Sequence, residues 1–197
     1  MKYITKTIYL EFIACAKNAW LKQRKPELAF KFELSALEKS LVANGNMVET
    51  WARKLFPSGI LVESQGEEAV KETVNYLESK QPVIFQATFI SNNFLARNDV
   101  LEYDNKNDCW NLYEIKGTNT LRENGEDRDH VEDAAFQYLV LHDCGVKIGR
   151  VSIIHLNKDY IRGDDINIHE LFVIDDITDK IIEREISTRE KMNNAVI

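Results

Sequence analysis

The sequence predicts an α/β fold in which helices flank one mixed β-sheet. Helical periodicity dominates the chain up to about residue 77. From Pro82 onward, three β-rich segments follow one another and are separated by short turn-forming segments. A further helical segment lies between the third and the fourth predicted strand, and such a helix permits a parallel crossover within one sheet.

Three helices are predicted before the sheet. The first runs from about Ile8 to Lys22, where apolar residues recur near helical spacing. The second opens with a capping box at Ser35–Glu38 and continues to about Leu55. The third spans Gly66–Leu77 and carries its apolar residues on one stripe.

The β-rich part predicts an antiparallel meander. Its strands cover about residues 82–90, 94–103 and 109–116, and the segments between them, Ser91–Asn93 and Asp104–Asp108, have turn chemistry. A helix from about Asp129 to Cys144, a strand over 146–155 and a charged helix over 176–195 complete the chain. The predicted order is αα(α)-βββ-α-β-α.

Length and composition indicate a soluble cytoplasmic protein. We interpret residues 1–197 as a single domain, since hydrophobic residues make up 44% and charged residues 29% of the chain. Its apolar runs are too short to span a bilayer, and its N-terminus lacks the layout of a signal peptide. The three cysteines at positions 15, 109 and 144 form no CxxC motif and cannot all pair, which indicates reduced thiols.

Charge is unevenly distributed along the sequence. The net charge of −7 argues against a protein that coats nucleic acid. Residues 1–31, however, carry seven Lys/Arg against two Glu, whereas residues 159–190 carry ten acidic side chains against four basic ones. The basic N-terminal segment is compatible with phosphate binding and equally with a solvated helix face.

The segment Glu114–Lys116 carries the first chemical signal. In a strand, residues i and i+2 point to one face, so Glu114 and Lys116 emerge together. Asp99 lies on the strand that the hairpin pairs with this one. Strict alternation predicts a second set of residues on a shared face: Arg97, Asp99, Leu101 and Tyr103.

Two carboxylates and an ammonium at one spot suit phosphodiester hydrolysis. Mg²⁺ prefers hard oxygen ligands and commonly uses one or two carboxylates together with phosphate and water. A lysine beside the metal can orient the attacking water and stabilise the charge of the transition state. The alternative is a surface ion pair between neighbouring strands, worth less than ~1 kcal/mol.

Three segments carry a set of motifs: Gly45–Glu49, Arg97–Leu101 and Trp110–Thr118. In this order they resemble the first motif and motifs II and III of the RecB-like nucleases, members of the PD-(D/E)xK superfamily that include the CRISPR-associated adaptation exonucleases. Asp133–Tyr138 resembles a later helix of these enzymes, which carries a Gln and lies beside the active site. Cys15–Leu28 is similar to the N-terminus of a bacterial family of uncharacterised proteins that begins with such a module.

The resemblance implies a restriction-endonuclease-like fold and a deoxyribonuclease that depends on Mg²⁺ or Mn²⁺. Lys116 would act on the water, and Gln137 would help to arrange the site or the DNA backbone. Gly45, one turn before Glu49, would leave room for the helix against the sheet. The implied metal ligands are Glu49, Asp99, Glu114 and the carbonyl oxygen of Ile115.

The sequence departs from these relatives in identifiable places. Leu141 stands where they carry Tyr, and Gln86 stands where they often carry an acid. In related nucleases an N-terminal Cys helps to bind a [4Fe–4S] cluster, which needs four thiolates. This chain has three cysteines, so we expect no cluster and interpret Cys15 as a buried apolar residue of the first helix. A longer native protein would be needed to supply the remaining ligands, and relatives of this kind commonly continue beyond this length.

A second function of a different class remains open: a catalytically silent nuclease fold that binds nucleic acid or a partner protein. Nothing in the sequence supports the third, a small-molecule hydrolase. The sequence leaves open the choice between DNA and RNA, between single and double strands, and between exo- and endonucleolytic cleavage.

Overall fold

A computed structural model describes residues 3–30, 36–123 and 129–196, which form a seven-stranded mixed sheet with helices on both faces. Its strands are β1 (Ile4–Thr5), β2 (Gly59–Leu61), β3 (Val83–Ser91), β4 (Phe94–Asp104), β5 (Cys109–Lys116), β6 (Ile148–Leu156) and β7 (Phe172–Asp176). The helices are α1 (Lys6–Ala14), α2 (Ala16–Arg24), α3 (Ala36–Ala52), α4 (Gly66–Glu78), α5 (His130–Asp143), α6 (Ile168–Leu171) and α7 (Thr178–Ala195).

The central part of the sheet has the predicted topology. Strands β3, β4 and β5 form an antiparallel meander, and β6 lies parallel to β5 after the crossover through α5. Asp129 caps α5, since its side chain accepts hydrogen bonds from the N–H groups of Val131 and Glu132, each at 3.0 Å. Gly145 follows the helix with φ of +79°, a conformation that favours glycine.

The N-terminal helix was predicted as one element and is two. The chain leaves helical geometry at Cys15, which has φ of −160° and ψ of 95°, so that α1 ends at Ala14 and α2 begins at Ala16. Cys15 is exposed at this junction, and its interpretation as a buried apolar residue was therefore wrong. The capping box predicted at Ser35–Glu38 lies outside the residues whose side chains are described.

Short elements at the margins of the sheet were missed. Strand β2 has three residues and pairs in parallel with β3, and β7 has five residues and pairs antiparallel with β6. Strand β1 has two residues, and α6 has four. Elements of this length are too short to show a hydrophobic period, and the three short strands form by pairing with the longer strands of the sheet.

Two apolar clusters lie on opposite faces of the sheet. The larger joins α1, α4, α5 and α7 to the strands, and α5 is buried along most of its length. The smaller joins α3 to the other face through residues such as Ala52, Phe85 and Ile154. Among the helices of the described ranges, none combines the length and the apolar character needed to cross a membrane.

The sheet forks at the middle of β4. The ladder between β4 and β5 runs from the turn to Val100 and Tyr113 and includes no pair beyond them. At its beginning, β4 instead pairs in parallel with β1, through Phe94 and Leu95. The segment of β4 between these two partners contains Asp99.

Strict alternation of side chains breaks at this fork. Asn98 contacts Gln137 of α5, and Leu101 packs in the cluster that includes α5, although residues three apart in a regular strand face opposite sides. Gln86, opposite Asp99, has φ of +58°, which is unusual for a residue other than glycine. The prediction that Arg97 and Leu101 share a face was therefore wrong. Arg97 donates instead to the carbonyl oxygens of Ser64 and Val62, at 3.1 and 2.8 Å.

Candidate active site

Asp99 lies in the fork, where its carboxylate accepts a hydrogen bond that a backbone carbonyl oxygen of the neighbouring strand would accept in a regular ladder. Asp99 Oδ2 accepts a hydrogen bond from the N–H group of Ile115 at 2.8 Å. Because the N–H and C=O groups of one strand residue point towards the same neighbouring strand, the Ile115 carbonyl also faces the Asp99 side. The irregular sheet therefore directs a carboxylate and a backbone oxygen into the same opening.

Glu114 is the most heavily bonded carboxylate of the site and is 2% exposed. Its Oε1 accepts from the ammonium groups of Lys6 and Lys116, at 2.6 and 2.8 Å. Its Oε2 accepts from the Gln137 amide at 2.7 Å. Two cations and one amide thus fix the orientation of a single buried carboxylate, and a buried charge is tolerated only with such partners.

Asp133 of α5 is a further carboxylate of the site to which sequence analysis gave no role. It accepts from Lys116 and, at 3.0 Å, from the amide of Gln137. The Oε1 of Gln137 in turn accepts from Asn98 at 2.8 Å. The spacing of Asp133 and Gln137, four residues apart on one helix, was the available signal, because i and i+4 share a helix face.

Glu49 reaches the site from α3 through an intermediate amide. Gln86 Nε2 donates to Glu49 Oε1 at 2.6 Å and to Asp99 Oδ1 at 3.2 Å, and Glu49 Oε1 also forms an ion pair with Arg53. A Cβ atom at Gly45 would meet no heavy atom within 4 Å among the described residues, so the expectation that Gly45 provides needed space was wrong.

The charged groups of the site shift one another's pKa values in opposite directions. Burial raises the pKa of Asp99, and the nearby charge of Glu114 raises it further. Burial alone would also raise the pKa of Glu114, but the ammonium groups of Lys116 and Lys6 hold it well below its usual range. Burial would lower the pKa of Lys116, yet Asp133 and Glu114 outweigh it and raise that pKa. Lys116 is therefore a cationic hydrogen-bond donor at neutral pH.

An open cleft of about 530 Å³ adjoins Glu49. Its polar lining includes Arg53, Gln86 and Arg97, so two guanidinium groups lie beside the carboxylates of the site. Arg53 Nε is buried and has no hydrogen-bond partner within the described part of the chain. Planar guanidinium groups suit bidentate binding of phosphate.

The donor set of the site fits a hard divalent cation. Asp99 and Glu114 supply carboxylates at one spot, the Ile115 carbonyl faces the same side, and Mg²⁺ commonly binds through one or two carboxylates. The raised pKa of Asp99 fits as well, since a cation beside it would compensate the cost of its buried charge. As the side chains stand, no three His, Cys, Asp or Glu in the described ranges are grouped closely enough to hold an ion by themselves.

The three cysteines lie apart from this site and from one another. All belong to the described ranges, and all are free thiols: Cys15 and Cys144 are exposed, and Cys109 is buried. Cys109 begins β5, and Cys144 follows the last turn of α5.

Comparison with known proteins finds similarity in structure and none in sequence. No protein family and no curated protein shows significant similarity to the sequence. The fold is similar to the crystal structure of an alkaline exonuclease, LHK-Exo, from Laribacter hongkongensis. The two chains are 14% identical with a TM-score of 0.51, over 98% of this chain and 87% of that one. The chain thus has a restriction-endonuclease-like fold, a mixed sheet flanked by helices.

Proposed function

We propose that the protein is a metal-dependent nuclease that hydrolyses phosphodiester bonds, with DNA as its substrate. The observation that carries this proposal is the convergence of Asp99, Glu114 and Lys116 at the fork of the sheet. The fold and the name of the similar structure, an alkaline exonuclease, agree with it. The resemblance of the motifs to RecB-like nucleases supports the same function.

Asp99, Glu114 and the Ile115 carbonyl would hold Mg²⁺ or Mn²⁺, and Glu49 would contribute across Gln86. When bound, such a cation lowers the pKa of water and neutralises charge that develops on the phosphate. Lys116 donates hydrogen bonds to the attacking water or to a phosphate oxygen. Its raised pKa makes it a donor and excludes it as the general base near neutral pH.

Gln137, on α5, holds these side chains in position. Its amide bonds both Glu114 and Asp133, and Asp133 in turn bonds Lys116, so one helix orients the carboxylate and the lysine together. The guanidinium groups of Arg53 and Arg97 would bind backbone phosphates along the adjoining cleft. We expect the protein to act in the cytoplasm, where free thiols are stable.

The alternative is a nuclease fold without catalysis that binds nucleic acid or a partner protein. One observation favours it: Glu114 is already compensated by two ammonium groups. The two functions differ in their need for a cation. A silent fold should bind its ligand equally well in EDTA, whereas a nuclease requires the metal.

The deciding experiment is cleavage of end-labelled linear DNA, single- and double-stranded, with Mg²⁺, Mn²⁺ or EDTA. We expect cleavage with either cation and none in EDTA. The variant Glu114→Gln should be inactive, and Glu170→Gln, which changes an exposed carboxylate, should keep full activity. Pure, folded wild-type protein that cleaves neither DNA nor RNA with any of these cations would refute the proposal.

A further inference from the structure

Lys6 is a cation at the centre of the site that sequence motifs did not indicate. Its Nζ lies 2.6 Å from Glu114 Oε1 and 3.4 Å from Asp133 Oδ1. The residue follows β1 directly, and β1 pairs with the first residues of β4 at the fork. The strand therefore delivers the ammonium of Lys6 to the carboxylate that Lys116 also contacts.

Lys116 and Lys6 differ in their exposure and in the elements that hold them. Lys116 ends a central strand, bonds both Glu114 and Asp133, and has a side chain that is 16% exposed. The side chain of Lys6 is 27% exposed and belongs to the first turn of a nine-residue helix near the N-terminus. Of the donors around Glu114, Lys6 can therefore leave with the least rearrangement of the sheet.

A divalent cation bound at this site would compete with the Lys6 ammonium for the Glu114 carboxylate. Glu114 Oε1 already accepts two ammonium groups, and Oε2 accepts an amide. A carboxylate offers about four lone-pair directions, and cations a few ångströms apart repel strongly where the effective dielectric constant is low. One direction is left open, but a divalent cation placed there would lie close to two ammonium groups, so its binding is favoured when one ammonium leaves.

We propose that Lys6 is a displaceable counter-ion that stabilises Glu114 before metal binding and lowers the affinity of the site for divalent cations. The N-terminal segment formed by β1 and α1 thereby regulates metal loading. This inference rests on the proposed nuclease function, because it concerns the cation that this function requires.

The test is calorimetric titration of the purified chain with Mn²⁺. Lys6→Met removes the charge and keeps most of the side-chain length, and it should bind Mn²⁺ at least about tenfold more tightly than wild type. Lys6→Arg keeps the charge and should stay within about threefold of wild type. Lys17→Met removes one charge from an exposed position of the neighbouring helix α2 and should leave the affinity unchanged.

Thermal unfolding gives a second readout that does not depend on cleavage. In EDTA, Lys6→Met should melt below wild type, since Glu114 and Asp133 lose a counter-ion. Saturating Mn²⁺ should then raise its Tm by more than it raises that of wild type.

Equal or weaker Mn²⁺ binding by folded Lys6→Met would overturn the inference, and Mn²⁺-dependent cleavage by wild type would then leave the nuclease function standing. If folded wild type and Lys6→Met both fail to bind Mn²⁺ and wild type cleaves nothing, the inference and the function are both overturned.

Discussion

The two ends of the hairpin β4–β5 differ in their backbone pairing and in the side chains that stabilise them. At the turn end the ladder is regular, Leu101 pairs with Leu112, and the rings of Tyr103 and Trp110 lie 5.0 Å apart. At the other end the ladder stops at Val100, and buried charged side chains fill the fork. Apolar pairing stabilises the first end without further partners, whereas every carboxylate of the second needs a cation or an amide.

This difference has a physical reason. A regular ladder satisfies its own backbone groups and leaves no position for a carboxylate between two strands. Where β4 and β5 separate, the N–H group of Ile115 becomes available, and Asp99 accepts its hydrogen bond at 2.8 Å. Irregular pairing thus creates the opening in which polar side chains converge, and α5, which packs on this face of the sheet, contributes Asp133 and Gln137 to it.

The largest effect should follow from removing charge at the fork. Asp99→Asn and Lys116→Ala should each reduce cleavage by at least about a thousandfold, because each removes a group that acts on the phosphate or its cation. Lys80→Ala, which breaks an exposed ion pair with Asp108 near the turn, should leave the rate within about twofold. Single-turnover cleavage rates measure all three.

Asp99→Asn should lose cleavage activity without losing thermal stability. Asp99→Asn removes an ionisable group whose charge is disfavoured by burial. The amide oxygen of the new side chain can still accept the hydrogen bond from the N–H group of Ile115. The Tm of this variant should therefore equal or exceed that of wild type. A large loss of Tm in Asp99→Asn would show that the carboxylate supports the fold and would weaken the comparison.

The sequence allowed the regular end to be predicted and the fork only in part. Period-two patterns and turn residues identified β3, β4 and β5, and Glu114 and Lys116 were correctly expected on one face. The distortion at Gln86 and Asp99 has no local sequence period, and the alternation extended through it was wrong for Arg97. Lys6 could not be found from spacing, because its contact with Glu114 joins residues 108 positions apart.

A second pair of variants separates stability from chemistry. Leu112→Ala at the regular end should lower the free energy of unfolding by about 2–5 kcal/mol and leave the cleavage rate per folded molecule unchanged. Gln137→Ala should lower it by about 2–3 kcal/mol, because Asn98 and Glu114 lose a buried partner. It should also reduce the cleavage rate. Urea unfolding monitored by circular dichroism, together with rates, distinguishes the two, and an unaffected rate in Gln137→Ala would contradict the role given to α5.

A smaller effect concerns DNA binding by the basic segment Lys22–Lys25 at the end of α2. The triple variant Lys22→Ala, Arg24→Ala, Lys25→Ala should bind DNA more weakly, with the slope of log affinity against log salt flattened by about one unit per lost phosphate contact. The matched control changes three lysines near the turn end or on α4: Lys71, Lys80 and Lys106. Equal slopes for wild type and the first variant would refute a phosphate-binding role of this segment.

The last expected effect is a pH dependence of stability at the start of α5, which does not involve cleavage. Burial and, to a smaller extent, the Lys116 ammonium together lower the pKa of His130 to about 4. The Nδ1 atom of His130 accepts a hydrogen bond from the N–H group of Arg122 at 3.2 Å. The unfolded chain therefore takes up a proton first, so the free energy of unfolding should fall by up to about 3 kcal/mol as pH drops from about 6.5 to 4. His130→Asn should lose part of this dependence, and His142→Asn, at the exposed end of the helix, should retain it. Identical pH profiles for His130→Asn and wild type would contradict this assignment.

The central claim is that a divalent cation binds where β4 and β5 separate. Crystals of the protein soaked in Mn²⁺ and measured at the manganese absorption edge test it directly. We predict one anomalous difference peak between the carboxylates of Asp99 and Glu114, with the Lys6 ammonium moved away from Glu114. Well-ordered crystals with no peak at the fork, and with Lys6 still bonded to Glu114 at saturating Mn²⁺, would contradict the account.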